Sequence, residues 1–114
     1  MRDFFNSAIL NQFDNGRSEH NHNKIYIMTM HAAKGLEFDN VILPYLVEGC
    51  MPCRTAIQFN NIEEERRLMY VAVTRAKSKL YLVYNLQDSP HTNFFGVSRF
   101  ISQIPSHMLK PIRI

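Results

Sequence analysis

Apolar residues along this chain fall into short blocks separated by polar stretches, and the period of each block selects an element. Phe4, Phe5, Ala8 and Ile9 recur at the i, i+1, i+4, i+5 spacing of an amphipathic helix, which predicts a short opening helix. Residues 14–23 contain no apolar side chain and include an Asn-Gly pair, so they are expected as an exposed polar loop. Two runs, Ile25 to Met30 and Val41 to Leu46, are apolar without strict alternation, the pattern of strands buried on both faces of a parallel sheet. Pro44 has no ladder donor, so the second strand either ends there or turns that position to a sheet edge. Lys79 to Tyr84 reads as a third strand.

Between the second and third strands a helix is expected from about Asn61 through Thr74 or slightly beyond. Asn61 stands as its cap, Glu64 at the capping-box position, and Glu63 to Glu65 bring negative charge to the positive end of the helix dipole. Leu68, Met69, Ala72, Val73 and Ala76 form one apolar stripe suited to packing on a sheet, while Glu63 is spaced to pair with Arg67 on another face. Pro90 breaks the chain after the third strand, and residues 98–104 predict a short closing helix stopped by Pro105. The order is α/β: a small, mostly parallel three-stranded sheet flanked by helices, with residues 1–114 forming one domain.

Composition narrows the class without deciding it. The chain has 114 residues, 46% of them hydrophobic, with a formal net charge of +3 and a pI near 9.0. So small a positive surplus favours polyanionic partners only slightly. No apolar run reaches the roughly 20 residues of a membrane helix, and the amino terminus lacks the apolar core of a secretory signal, so a soluble, cytoplasmic protein is expected. Two cysteines are too few for a disulfide framework or a four-ligand zinc site, and reduced thiols are expected. His20 and His22 form a His-x-His pair in the polar loop without nearby carboxylate or thiolate partners, so no metal site is assigned.

Candidate chemistry centres on His31-Ala-Ala-Lys-Gly35, which follows the expected leading strand. In open parallel sheets such loops face the ligand crevice. Small residues expose backbone, Lys34 offers positive charge, and Glu37 offers a carboxylate suited to a ribose hydroxyl; the same segment also fits a tight turn with Gly35 at its bend. Arg75, near the end of the predicted long helix, is four and eight residues beyond Val71 and Arg67 and would share their face. Taken by itself it reads as an exposed helix-terminal cation. Arg66 and Arg67 are read as structural, and Tyr70 as packed into the core. Cys50-Met-Pro-Cys53 is similar to the active-site turn of thioredoxin-like oxidoreductases, but no long helix starts at its first cysteine, so a redox role is the weakest reading.

The segment Tyr26 to Phe38, together with Glu63 to Ala76, closely resembles the last two motifs of UvrD/Rep/PcrA-like superfamily 1 DNA helicases. Thr29, His31, Lys34, Gly35, Glu37 and Phe38 match the first motif, and Val73-Thr-Arg-Ala76 matches the second. The resemblance implies a truncated RecA-like domain of the P-loop NTPase type, the carboxy-terminal part of the family's second such domain. It places Gly35 and Glu37 on the ATP side, Thr29, Met30, His31 and Lys34 on the single-stranded DNA side, and Arg75 at the γ-phosphate as an arginine finger. No Gly-x-x-x-x-Gly-Lys-Ser/Thr loop occurs in the chain. ATP with Mg²⁺ would therefore need a partner, the amino-terminal RecA-like domain, to hold the phosphates and the metal. The implied function is a portion of an ATP-dependent 3′-to-5′ DNA helicase or translocase that is inactive alone. The alternative is a non-catalytic module binding single-stranded DNA or protein.

Overall fold

The computed structural model describes residues 24–85 and 96–114. The expected opening helix, the polar loop with its histidine pair and the break at Pro90 lie outside these residues. Two strands, β1 (Phe38–Leu43) and β2 (Ala76–Leu82), pair in parallel. Among the described residues three helices accompany them: α1 (Arg54–Gln58), α2 (Ile62–Val73) and α3 (Arg99–Ser102). A single 3-10 turn, Ser106–Met108, follows Pro105. No described helix is long and apolar enough to cross a membrane.

The sheet among the described residues thus has two strands, not the expected three. Residues 24–29 form no regular element and no ladder pairing with a described strand, and Ile25 is 93% exposed. A parallel interior strand gains its stability from cover on both faces, and among the described residues only one face meets the core. Val41 and Leu43 pair with Leu80 and Leu82, and that face joins the core formed by Leu43, Leu46, Met51, Met69, Ala72, Phe100 and Ile101. The opposite face carries Asn40, Ile42, Lys79 and Tyr81, and Ile42 is 65% exposed.

Both strands begin earlier than their apolar runs. Phe38 pairs with Ala76, and Asn40 with Lys79, so β2 carries an extra residue opposite Asp39. Such a bulge strengthens the local twist. Lys77 spans it to Asp39 at 3.6 Å, a surface pair of about 0 to 1 kcal/mol. At the other end Leu43 closes β1 immediately before Pro44, as the missing donor requires.

Helix α2 matches its predicted span closely, although its local bonds differ from expectation. The Asn61 side chain makes no capping bond. Glu63 pairs with Arg66 at 3.2 Å and Glu64 with Arg67 at 3.1 Å, three residues apart rather than four. Glu65 instead accepts from the Cys53 backbone N–H at 3.0 Å, fastening α1 to the start of α2. Arg66 lies over the Phe100 ring at 5.2 Å and donates to Gln103, so it ties α2 to α3 as the structural reading requires. Tyr70, expected in the core, is 68% exposed. The stripe that packs inward is Met69 and Ala72, with Leu68 and Val73 partly covered, and Tyr70 falls outside it.

A second long-range ion pair among the described residues joins Glu48 to the start of α3. Arg99 donates through Nε and Nη2 to the Glu48 carboxylate, at 3.1 and 2.8 Å, and its backbone N–H donates to the same group at 2.6 Å. The Glu48 side chain is 14% exposed. These hydrogen bonds hold its carboxyl below the ordinary value against the opposing effect of burial. A depressed folded-state value gives stability that is present above the unfolded pKa of about 4.3 and is lost as pH falls through the folded value. The urea midpoint of the native chain should therefore exceed that of Glu48→Gln near neutrality, and the gap should narrow as pH drops below about 4.3. A gap that stays constant across that window contradicts the assignment.

Candidate functional site

The candidate site gathers at the amino ends of β1 and β2, where parallel pairing brings the two segments leading into the strands side by side. Sequence reasoning placed it after the carboxyl end of a leading strand. Because residues 25–30 form no strand, the loop instead enters β1 from below its first residue.

That loop is shaped by its own polar groups. The Thr29 hydroxyl accepts from the Ala32 N–H at 3.1 Å, and the Thr29 carbonyl accepts from the Ala33 N–H at 3.2 Å, winding a turn on the threonine. Leu36 N–H returns to the Ala33 carbonyl at 3.0 Å. Gly35 has φ of 84°, in the left-handed region, so the bend reading of this glycine holds. A Cβ built there would meet no atom within 4 Å, so the glycine serves backbone conformation and leaves open space beside it. Ala33 is buried and Met30 packs partly against the core, whereas His31, Lys34 and Glu37 are exposed. Upstream, the Tyr26 ring meets Phe38 at 5.8 Å and anchors the loop to β1.

Arg75 comes from the other segment. It lies past the end of α2, beyond the Thr74 cap, so it does not continue the helical face of Arg67 and Val71 as the spacing suggested. Its guanidinium is nevertheless drawn back to the helix, with Nε donating to the Val71 carbonyl at 3.0 Å. Nη1 donates to the Leu36 carbonyl at 3.2 Å, and Nη2 to the Thr74 hydroxyl at 3.2 Å. The Arg75 carbonyl accepts from the Phe38 N–H at 2.9 Å. Leu36 sits between Gly35 and Glu37, so Arg75 and the loop are joined through side chain and backbone alike. Arg75 is half-buried, with N–H groups of its fork left for an incoming acceptor.

Thr74 is a residue that sequence reasoning passed over. Its hydroxyl lies 2.9 Å from the Tyr70 carbonyl and 3.0 Å from that of Val71, while accepting from Arg75. It orients the guanidinium, and its place beside the arginine was the available signal. A depression of about 420 Å³ lined by Glu48, Gly49, Arg54, Ile57, Gln58 and Arg99 includes none of the predicted site residues. In the Cys50-Cys53 segment, Cys53 rather than Cys50 precedes a helix, and that helix has only 5 residues. Desolvation, then the Cys53 and Glu65 charges, pushes the Cys50 thiol up, opposite to the lowered thiol of a redox catalyst.

Comparison with known proteins identifies the family. A family model described as the UvrD-like helicase C-terminal domain matches residues 1–87. The chain is similar to ATP-dependent DNA helicase Rep of Buchnera aphidicola subsp. Acyrthosiphon pisum, at 40% identity over 89 residues, covering 76% of the chain and 14% of that protein. It is 46% identical over 89 residues to ATP-dependent DNA helicase PcrA of Bacillus subtilis, covering 75% of the chain and 12% of that protein. DNA helicase II of Rickettsia typhi is 41% identical over 92 residues, covering 74% and 14% respectively. The chain therefore spans only 12% to 14% of the length of these relatives.

Proposed function

Because the chain belongs to the UvrD-like helicase C-terminal domain family, we propose that it supplies the carboxy-terminal part of the second RecA-like lobe of an ATP-dependent DNA helicase or translocase that moves 3′ to 5′. The observation that carries this reading is the tie between Arg75 and Leu36, which unites the two motif segments at one end of the sheet. Phosphoryl transfer places charge on the oxygens of the transferred group, and a permanently charged, forked guanidinium neutralises it. Arg75 is the arginine finger in this reading. The open backbone at Gly35 and the Glu37 carboxylate meet the nucleotide, Glu37 at the ribose hydroxyl. Thr29, Met30, His31 and Lys34 lie on the single-stranded DNA side of the same loop, with the Thr29 hydroxyl holding the turn that presents His31 and Lys34.

An arginine finger acts only on phosphates that another element holds. In this proposal the amino-terminal RecA-like lobe carries the phosphate loop and the ligands of Mg²⁺, which bridges the phosphates and withdraws their charge when bound. Among the described residues no cluster of three or more His, Cys, Asp or Glu side chains is arranged to hold an ion. The fit of this chain is thus to the γ-phosphate end of the nucleotide, through Arg75.

The test is ATP turnover and DNA binding by the purified chain. It should hydrolyse no ATP above buffer, and turnover that Arg75→Ala abolishes would overturn the division of labour. Any single-stranded DNA binding should weaken with salt, and Lys34→Ala should flatten the log–log salt slope by roughly 0.7, the loss of one phosphate contact. A slope unchanged by Lys34→Ala removes that residue from the DNA side.

A further inference from the structure

Cys50 and Cys53 take no part in the Arg75 end of the sheet, yet the fold sets them against each other. They form an antiparallel bridge pair, and both are free thiols. Residues directly opposite in such pairing have Cα atoms about 4.5 to 5.5 Å apart, inside the roughly 4.4 to 6.8 Å that a disulfide spans. Backbone bonds hold the opposition in place. The N–H groups of Cys50 and Met51 both donate to the Val47 carbonyl at 3.0 Å, and the Gly49 N–H donates to the Pro52 carbonyl at 3.1 Å. The Cys53 N–H is fixed separately by Glu65. Cys50 is exposed as a residue, although burial partly desolvates its thiol.

We propose that Cys50 and Cys53 form a thiol–disulfide exchange site that reacts with low-molecular-weight disulfides of the glutathione class and closes into an intrachain disulfide. The Cys50 thiolate attacks one sulfur of the reagent, forms a mixed disulfide and releases one reduced thiol. The Cys53 thiolate then attacks the Cys50 sulfur, forms the protein disulfide and releases the second reduced thiol. The protein dithiol is oxidised, the reagent disulfide is reduced, and the thiol protons end on the two released thiols. The raised Cys50 thiol makes the first step slow at neutral pH and leaves the equilibrium to the geometry. The closed link would secure a turn whose flanks hold Glu48 to Arg99 and Cys53 to Glu65. The sheet, α2 and α3 all meet at that turn.

The test equilibrates the 114-residue chain in glutathione buffers of graded redox ratio, native and in urea, then alkylates free thiols and measures mass. The native chain should close its disulfide at an oxidised-to-reduced ratio about tenfold lower than the unfolded chain, because the fold already holds the two cysteine backbones opposite each other. Cys50→Ser and Cys53→Ser should each retain one glutathione as a mixed disulfide. Equal ratios in native and unfolded chain would overturn the proposal. So would mixed disulfides that persist on the native chain with both cysteines present, or linkage between chains in place of the internal bond.

Discussion

Arg75→Ala, made in the complete helicase to which we assign this chain, is expected to slow ATP turnover by about 10³-fold or more. The interaction it removes forms with charge that develops during phosphoryl transfer, so kcat should fall while KM for ATP changes little. Arg75 also bonds to the carbonyls of Leu36 and Val71, and those acceptors lose a partner in the variant. Leaving a part-buried carbonyl unpaired costs about 1 to 3 kcal/mol, enough to loosen the turn. Arg75→Lys separates the two effects. It keeps the charge but not the fork that reaches both carbonyls, so its urea midpoint should fall between those of the native chain and Arg75→Ala while turnover remains far below native. Turnover of Arg75→Ala within about tenfold of the native enzyme would remove the finger assignment.

Leu46→Ala should be the most damaging single truncation for the fold. Leu46 is fully buried, its N–H donates to the Val83 carbonyl at 3.0 Å, and its carbonyl accepts from the Ser98 N–H at 2.9 Å. It joins the end of the sheet to the segment that begins α3. Truncating a buried leucine costs about 2 to 5 kcal/mol through lost transfer energy and the cavity left behind. Set against the roughly 5 to 15 kcal/mol of a small domain, that loss leaves little net stability. Urea denaturation should show a lower midpoint with an unchanged slope. Ile42→Ser, on the uncovered face, should shift stability by only about 0.5 kcal/mol. Equal losses at the two positions would mean that the core has been assigned to the wrong side of the sheet.

Elements whose signals are local were readable from the chain. Helix α2 came through nearly whole because its apolar stripe and its run of three glutamates at the positive end agree. The short closing helix expected over 98–104 is present as α3, with Ser98 capping it by accepting from the Phe100 N–H. Strand starts were misplaced because Phe38-Asp-Asn and Ala76-Lys-Ser carry the ladder in largely polar residues, and the bulge between them belongs to pairing rather than to either segment. The leading strand failed for a related reason: an apolar run specifies burial, and burial depends on what covers it. Glu48 and Arg99 are 51 residues apart, and nothing in the sequence pairs them.

Much of the candidate site was legible through the family motifs. Those motifs named Gly35, Glu37 and Arg75 together, and the structure joins Arg75 to the backbone between the other two. Composition alone would have left Arg75 a helix-terminal cation. The assignment of Tyr70 to the core went wrong because a single aromatic gives no phase. The stripe running through Met69 and Ala72 does, and it points away from Tyr70.

The uncovered side of the sheet sets the terms on which the chain can be studied by itself. Ile42 and Tyr81 are exposed on one face, and among the described residues each strand pairs with one neighbour, which leaves the outer edge of β1 and of β2 without a described ladder partner. Two molecules that meet there can bury that face or extend the ladder from edge to edge. Self-association is therefore expected to set the concentration at which the purified polypeptide remains monodisperse.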